Sequence, residues 1–364
     1  MAPSWLRFFA GALGSLVLCL GLIRWVAPHG LMDRPTEDRK IHHRPTARTG
    51  GLALWAVLIG VQVSGALGTR MDFMDWAGVH AMALVGLLDD CCDLRPRHKA
   101  LAGLSVAALL AVHVASSLGP GSGWVSFLEV LIPTHPVVVV PILMLWFWAV
   151  PQAYNLMDGI NGLSLGFGAL VLAVLSWNVG VQPMLLWGGM ATVFLLNFPK
   201  AHHFIGDCGA LMLGTLFSLL AVETFALRDP NLLLWVFAYP ALDVSLVVAI
   251  RRWKGQPLGV ADRSHFHHWM MERMGNRVWL ATPCLLGLAV LPMTRATALP
   301  GHQAISLLGL VALAILIIKA FVDRVKEDSM PAPQAQARRP VPMMRARSEV
   351  ALHSAEASGS HTAL

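Results

Sequence analysis

The sequence predicts an all-α protein that crosses a lipid membrane many times. Hydrophobic residues make up 56% of the 364 residues and charged residues only 13%, whereas soluble domains carry about 25% charged residues. The apolar residues fall into eleven long runs, and none shows the alternation of apolar and polar residues that barrel strands have. Because lipid cannot hydrogen-bond to an exposed backbone, such runs must form helices, whose backbone groups pair within the segment.

The runs divide the chain into predicted spans joined by polar loops. A spanning helix needs about 20 apolar residues, and the third and tenth runs are short for that purpose. The runs cover residues 5–27, 50–67, 76–88, 100–118, 136–154, 160–177, 183–198, 208–227, 232–250, 278–293 and 304–322. Residues 1–327 are therefore predicted to form the membrane domain, and the Pro-, Ala-, Ser- and Arg-rich segment 328–364 a disordered cytoplasmic tail.

The distribution of Lys and Arg predicts the orientation of the spans. With the N-terminus outside, the inside segments hold 21 of the 27 Lys and Arg residues, and the outside loops hold only Arg70, Arg228 and Arg295. The positive-inside rule then predicts an N-out, C-in arrangement in the plasma (inner) membrane. The net charge of +6 fits a cytoplasmic face against anionic lipid, so no nucleic-acid binding is expected.

Distinctive polar residues gather in the predicted inside loops, which places any chemistry at the cytoplasmic surface. Asp89 and Asp90 end an apolar helix, a position that disfavours acids. Two adjacent, partly desolvated carboxylates favour a bound cation, and hard oxygen ligands suit Mg²⁺, with Mn²⁺ as a substitute. The pair is therefore predicted to serve a metal-dependent site rather than only to end the helix.

Two glycine-containing loops add further polar candidates. The segment from Asn155 to Leu163 places Asp158 and Asn161 among glycines between two apolar helices, although an ordinary turn would have a similar composition. Asp207 lies between glycines at the start of another long apolar helix, where it could cap the helix, bind a metal, or do both.

The last inside loop contains Arg263, His265, His267 and His268, a group whose positive charge would attract phosphate. Zinc binding is the alternative, since imidazole is a common zinc ligand. No cysteine accompanies the histidines, and the neighbouring arginine favours phosphate. Asp243 lies inside the ninth apolar run, and for this intramembrane carboxylate a structural or supporting role is expected.

Taken in order, these segments resemble the polyprenyl-phosphate N-acetylhexosamine-1-phosphate transferases. The similarity extends from about residue 33 to residue 277 and includes a first cytoplasmic loop that ends at Gly50 and Gly51. The stretch from His265 to His268, with a phenylalanine second, resembles the branch that uses UDP-GlcNAc and undecaprenyl phosphate. Asn161 stands where many members of the family have an aspartate.

The resemblance implies a magnesium-dependent enzyme that transfers N-acetylhexosamine-1-phosphate, most simply GlcNAc-1-phosphate, from a UDP-sugar to undecaprenyl phosphate and releases UMP. It would carry out the first membrane step of cell-surface polysaccharide synthesis. The resemblance makes Asp89, Asp90 and Asp207 catalytic, with the metal on Asp207 and Asp90. It assigns substrate contacts to Lys99, Asn155, Asp158, Asn161, Asn197, Phe204, Arg263, His265, His267 and His268.

Two other functions are considered. The sister branch of the family transfers phospho-MurNAc-pentapeptide in peptidoglycan synthesis, but it typically carries three consecutive histidines in its last loop. A metal-ion transporter would place its ionisable residues near the middle of the membrane, whereas here they crowd one predicted surface. The oligomeric state is left open, a homodimer included.

Overall fold

Helices account for most of the structure, a computed structural model that describes residues 3–33, 45–68, 71–117, 124–127, 130–180, 182–226, 228–257, 263–297 and 299–329. Within these ranges the α-helices are α1 (Ser4–Trp25), α2 (Gly50–Ser64), α3 (Phe73–Cys92), α4 (Pro96–Ser117), α5 (Pro136–Leu156), α6 (Leu163–Val179), α7 (Met184–Asn197), α8 (Gly206–Phe225), α9 (Asn231–Val236), α10 (Ala238–Trp253), α11 (Phe266–Arg273), α12 (Val278–Met293) and α13 (His302–Ser329). Two antiparallel hairpins, which the all-α prediction did not include, join β1 (Met32–Asp33) to β2 (Thr46–Ala47) and β3 (Trp124–Phe127) to β4 (Val130–Pro133).

Each predicted apolar run coincides with helical structure, although the ninth run is divided at Phe237 into α9 and α10. Six helical segments are long and apolar enough to cross a membrane, namely α1, α4, α5, α8, the segment Val278–Ala296 and α13, and the described residues also contain the shorter apolar helices α2, α6 and α7. The chain is therefore a multi-pass, mostly helical membrane protein. The number of eleven spans and their orientation stay predictions.

Helix α8 forms the centre of the structure. Every residue of α8 is buried except Asp207 and Glu223, and the helix packs against α2, α3, α5 and α6. A helix that is apolar on all sides belongs inside a bundle rather than at its surface. The sequence of α8 is rich in Gly, Ala, Ser and Thr, and such small residues let neighbouring helices approach closely in a membrane.

Glycines bring the polar end of α8 close to α2 and α3. A Cβ atom at Gly86 of α3 would overlap the backbone carbonyl of Asp207, and one at Gly51 of α2 would overlap the backbone of Gly209. The backbone of Gly50 and Gly51 also donates to the carbonyls of the segment just before α8 at 2.9 Å. These contacts fix the height at which α8 begins relative to its neighbours.

The chain through Arg324 forms one unit, and residues 325–364 form a second, of which the structure describes only the end of α13. The predicted tail domain from residue 328 lies outside the described residues, apart from the last two residues of α13. The first-loop residues 34–44, part of the family resemblance, also lie outside them. On either side of that segment, Arg48 and Asp33 form an ion pair at 2.6 Å.

Replacing Gly86 by alanine is expected to lower both thermal stability and activity. The added methyl group would push α3 away from the start of α8, and overpacking of this kind costs about 1–3 kcal/mol. Gly287→Ala is the matched control, because Gly287 lies in α12 with no atom near its would-be Cβ. Thermal unfolding of the two purified variants in one detergent is the measurement, and equal midpoints would contradict the proposed close packing.

Candidate active site

Four helix ends bring a cluster of charged and amide side chains together. The cluster consists of Asp89 at the end of α3, Lys99 in the first turn of α4, Asn155 in the last turn of α5 and Asp207 at the start of α8. Lys99 Nζ donates to Asp89 Oδ2 at 3.0 Å and to Asn155 Oδ1 at 3.1 Å, and it also bonds to the Asp207 carboxylate. Asn155 Nδ2 donates to Asp207 Oδ1 at 2.9 Å. The structure thus joins four residues that sequence analysis selected from separate loops.

Asp90 points away from this cluster and caps α8. Its two carboxylate oxygens accept the backbone N–H groups of Asp207 at 3.0 Å and Cys208 at 2.9 Å, and its side chain is 2% exposed. Gly206, at φ +64°, approaches this carboxylate so closely that a Cβ would meet it. Asp90 thus positions the backbone that carries Asp207, and its expected share in a metal with Asp207 stays a prediction.

Asp158 and Asn161 are held within the loop between α5 and α6. Ser164 Oγ donates to Asp158 Oδ1 at 2.5 Å. Burial is the main reason that the pKa of Asp158 is raised to about 7, and the nearby charges of Asp207 and Asp90 add to it. Asn161 Nδ2 donates to the Pro199 carbonyl at 3.0 Å. Asp158 therefore lies close enough to the carboxylate cluster to sense its charge, while Asn161 ties its loop to the segment after α7.

Asn197 serves the structure of the loop before α8. Its side chain is buried, with Oδ1 accepting from Gly162 N at 2.5 Å and Nδ2 donating to the His203 carbonyl at 2.8 Å. Both ends of the Asn197 amide hold these two loops together, and its expected contact with substrate stays a prediction. Phe204 is half-buried, and its backbone pairs with Ala47 and Gly50, so its contact with a base stays a prediction.

The histidines are oriented inward, toward Asp243. His265 Nδ1 lies 3.0 Å from Asp243 Oδ2, and His267 Nδ1 lies 3.4 Å from the same oxygen. His267 is fully buried, and burial is the main cause that lowers the pKa values of His267 and His268. Because His267 is inaccessible, the expected contact with phosphate or sugar stays a prediction for His265, the half-buried His268 and Arg263. Arg263 is exposed at the edge of this loop.

Arg48 is a candidate that the sequence analysis did not select. Its Nη1 atom lies 3.9 Å from Asp90 Oδ1 and 4.0 Å from Asp93 Oδ1, and its side chain is 28% exposed. The charges of Asp33, Asp90 and Asp207 all favour the protonated guanidinium. Its position two residues before Gly50, at the end of the loop that resembles the family, was the available signal. Arg48 brings a second cation to the carboxylate cluster.

The cluster fits a divalent cation with a preference for oxygen ligands. Asp89 and Asp207 converge on one ammonium group, and Asn155 adds an amide oxygen to it. Carboxylate and carbonyl oxygens are ligands that Mg²⁺ accepts, usually with one or two carboxylates and the remainder from water and phosphate. Asp207 and Asp89 are thus two side chains that would hold the metal, because both carboxylates point into this cluster. A contribution of Asp90 to the metal stays a prediction.

Comparison with known proteins identifies the family. The sequence profile for glycosyl transferase family 4 matches residues 73–225, which carry the whole carboxylate cluster. A probable undecaprenyl-phosphate N-acetylglucosaminyl 1-phosphate transferase of Bacillus subtilis is 30% identical over 265 residues, covering 66% of this chain and 70% of that protein. The chain belongs to glycosyl transferase family 4.

Two further relatives show the range of the family. The undecaprenyl-phosphate alpha-N-acetylglucosaminyl 1-phosphate transferase of Escherichia coli K12 is 25% identical over 266 residues, covering 67% of this chain and 70% of that protein. The phospho-N-acetylmuramoyl-pentapeptide-transferase of Leuconostoc mesenteroides is 28% identical over 268 residues, covering 66% of this chain and 81% of that protein. The family resemblance seen in the sequence is confirmed, and both branches named there are among the relatives of this family member.

Asp90→Asn is expected to reduce activity by about 10-fold or more while the protein still folds. An Asn side chain has one acceptor oxygen in place of two, so one of the two N–H groups at the start of α8 would lose its partner, at about 1–3 kcal/mol. Asp93→Asn is the control, because the Asp93 side chain is 96% exposed and its backbone has φ 47°, which Asn tolerates. Turnover and thermal midpoint are measured for both, and unchanged turnover of Asp90→Asn would contradict the capping role.

Proposed function

We propose that this chain transfers an N-acetylhexosamine-1-phosphate, most simply GlcNAc-1-phosphate, from a UDP-sugar to undecaprenyl phosphate and releases UMP. The observation that carries the proposal is the meeting of Asp89, Lys99, Asn155 and Asp207 at four helix ends. The relatives named as undecaprenyl-phosphate N-acetylglucosaminyl 1-phosphate transferases support the choice of both substrates.

The reaction needs positioning and charge neutralisation more than covalent help from the protein. An oxygen of the lipid phosphate attacks the β-phosphorus of the UDP-sugar, the bond from that phosphorus to the bridging oxygen breaks, and UMP leaves with the electron pair. The second pKa of a phosphate is near 6, so the attacking phosphate is already ionised near pH 7. Asp89 therefore serves to orient the lipid phosphate, and no strong base is needed.

Charges around the cluster match the charges of the substrates. Mg²⁺ held by Asp207 and Asp89 would neutralise the negative charge of the diphosphate. Lys99 and Arg48 supply two further cations, Lys99 between Asp89 and Asp207 and Arg48 near Asp90. Asn155 in the last turn of α5 and Asp158 in the loop that follows are proposed to line the region where the sugar would lie, and Phe204 is proposed to contact the uracil ring.

The location of the cluster at helix ends suits one lipid-bound and one water-soluble substrate. A polyprenyl tail stays in the bilayer while its phosphate reaches the interface, where α3, α4, α5 and α8 all place an end in the cluster. We place this interface on the cytoplasmic side of the inner membrane, with the N-terminus outside and the C-terminus inside across eleven spans. The concentration of Lys and Arg in the predicted inside loops supports that orientation.

The second candidate is transfer of phospho-MurNAc-pentapeptide, which the Leuconostoc relative is named for. Phe266 argues against it, because this residue interrupts the run of histidines and is fully buried, with its ring against Tyr239 and Trp269. A fourth histidine, at position 266, would place a polar ring in an apolar site. The GlcNAc branch is therefore the proposed one.

Purified protein with undecaprenyl phosphate and Mg²⁺ is expected to release UMP from UDP-GlcNAc faster than from UDP-GalNAc or UDP-MurNAc-pentapeptide. Asp207→Asn should lower the rate by about 100-fold or more, because it removes a carboxylate charge that would hold the metal, whereas Asp93→Asn should keep the wild-type rate. UMP release is scored with and without chelator. If the wild-type protein releases no UMP from any of the three, the proposed function is wrong, and preference for UDP-MurNAc-pentapeptide would select the second candidate.

A topology reporter provides an independent check of the cytoplasmic location. A phosphatase that is active only in the periplasm, fused after Lys254, should be silent, because six Lys and Arg residues lie between residues 251 and 277. The same reporter fused after Gly301 serves as the control and should be active. Reversed activities would place the site on the outer side, where UDP-sugars are absent.

A further inference from the structure

Asp243 is a carboxylate inside α10, and its side chain contacts the segment 263–268, called here the histidine loop. It is 1% exposed. Its Oδ1 accepts the backbone N–H of Phe266 at 2.6 Å, and its Oδ2 lies 3.0 Å from His265 Nδ1. His267 Nδ1 lies farther from the same oxygen, at 3.4 Å. One side chain therefore fixes both the backbone at the start of α11 and the ring of His265.

The carboxylate determines which nitrogen of His265 carries a proton. An ionised carboxylate can only accept hydrogen bonds, so His265 Nδ1 must be the donor. The bond made by one ring nitrogen sets the role of the other, and Nε2 becomes the one ring nitrogen left to meet a ligand. His265 also keeps a small exposed surface, at 7% of its side chain, whereas the His267 side chain has none.

The histidine loop adjoins the loop that leads to the carboxylate cluster. The His267 ring lies against Gly159, where a Cβ atom would overlap its Nε2, and the rings of His265 and His267 stack at 5.1 Å. Gly159 follows Asp158, where the charges of Asp207 and Asp90 add to the larger effect of burial in raising the pKa of the Asp158 carboxyl. The two groups of residues are thus neighbours across one glycine.

Two ion pairs join α11 to α13. Arg273 pairs with Asp323 at 2.6 Å, and Trp269 Nε1 donates to the same carboxylate at 3.2 Å. Arg324 pairs with Glu272 at 2.9 Å. Contacts with both Asp243 and α13 therefore hold the segment from His265 to Arg273.

We propose that Asp243 is a positioning residue for the transfer reaction and acts through His265. It holds the Nδ1–H form of the ring so that the Nε2 lone pair is presented to a hydroxyl or N–H donor of the nucleotide-sugar. The inference rests on the proposed function for the identity of the ligand. The arrangement of Asp243 and His265 itself stands on the hydrogen bonds alone.

A metal ion is the competing interpretation of the same residues. One ligand atom from each of Asp243, His265 and His267 lies within 4.8 Å of the others, so the three could in principle hold zinc. The hydrogen bonds favour the proposal, because a ring nitrogen that donates to Asp243 has no lone pair for a metal. Stoichiometric zinc in the purified protein would overturn the proposal.

The first test is a double-mutant cycle on UMP release. Asp243→Asn puts an amide N–H₂ group against either His265 Nδ1 or the Phe266 N–H, and by analogy with side chains that orient metal ligands it should lower kcat/KM by about 10- to 100-fold. The double variant Asp243→Asn/His265→Ala should then lose no more activity than His265→Ala alone, because the losses caused by residues that act as a unit are not additive. Glu223→Gln, an exposed carboxylate of α8, is the control for charge removal. If the fold-loss of kcat/KM in the double variant equals the product of the two single-variant losses, the proposal is overturned.

The second test needs no variant at position 243 and no turnover. ¹⁵N-histidine NMR of the wild-type protein in nanodiscs, with His265→Ala used to assign the signal, should show His265 with its proton on Nδ1. A proton on Nε2 alone would overturn the proposal even if the enzyme is active. If no UDP-sugar is used by the wild-type protein, the proposed function fails, while the NMR result still decides whether His265 carries its proton on Nδ1, the form that the arrangement with Asp243 requires.

Discussion

The hydrogen bonds between the Asp90 carboxylate and the first backbone N–H groups of α8 are the constraint on which the active site depends. Helix α8 is buried almost throughout, and the first N–H groups of any helix lack partners within it. No side chain of its own caps α8. Asp90 supplies the cap from α3, and the contact is possible because Gly86 and Gly206 allow close approach. Asp207 consequently emerges at a fixed height, beside Lys99 and Asn155.

Electrostatics at the edge of the membrane explain why this cluster contains both signs of charge. Carboxylates near a low-dielectric interior are costly unless they are paired and hydrogen-bonded. Asp89 and Asp207 both pair with Lys99, and Asn155 also donates a hydrogen bond to Asp207. Asp90 accepts two backbone N–H groups and lies near Arg48. The same groups that stabilise the carboxylates also suit a site for anionic substrates and their counter-cation, so stability and function draw on the same contacts.

The family comparison and the geometry bear on different questions. Similarity to the Bacillus and Escherichia coli relatives places the chain in its family, but it does not say how each polar residue is used. The structure divides these residues into two groups, one around Lys99 and one around Asp243, which meet at Gly159. This division separates side chains that converge on a shared cation from those that hold the loop beside it.

The sequence by itself determined the helices and the end of the molecule at which the polar residues gather. Composition is sufficient for this, because a backbone in lipid must satisfy its own hydrogen bonds, so each apolar run has one available structure. Asp89, Asn155 and Asp207 could be selected for the same reason: they follow or precede such runs.

Only tertiary structure decided the direction of each side chain. Neighbours on a helix point about 100° apart, so Asp89 meets Lys99 while Asp90 meets α8. Likewise, the buried Asn197 joins two loops, and Asp243 turns His265 inward, because their partners are distant in sequence and are brought near only by packing.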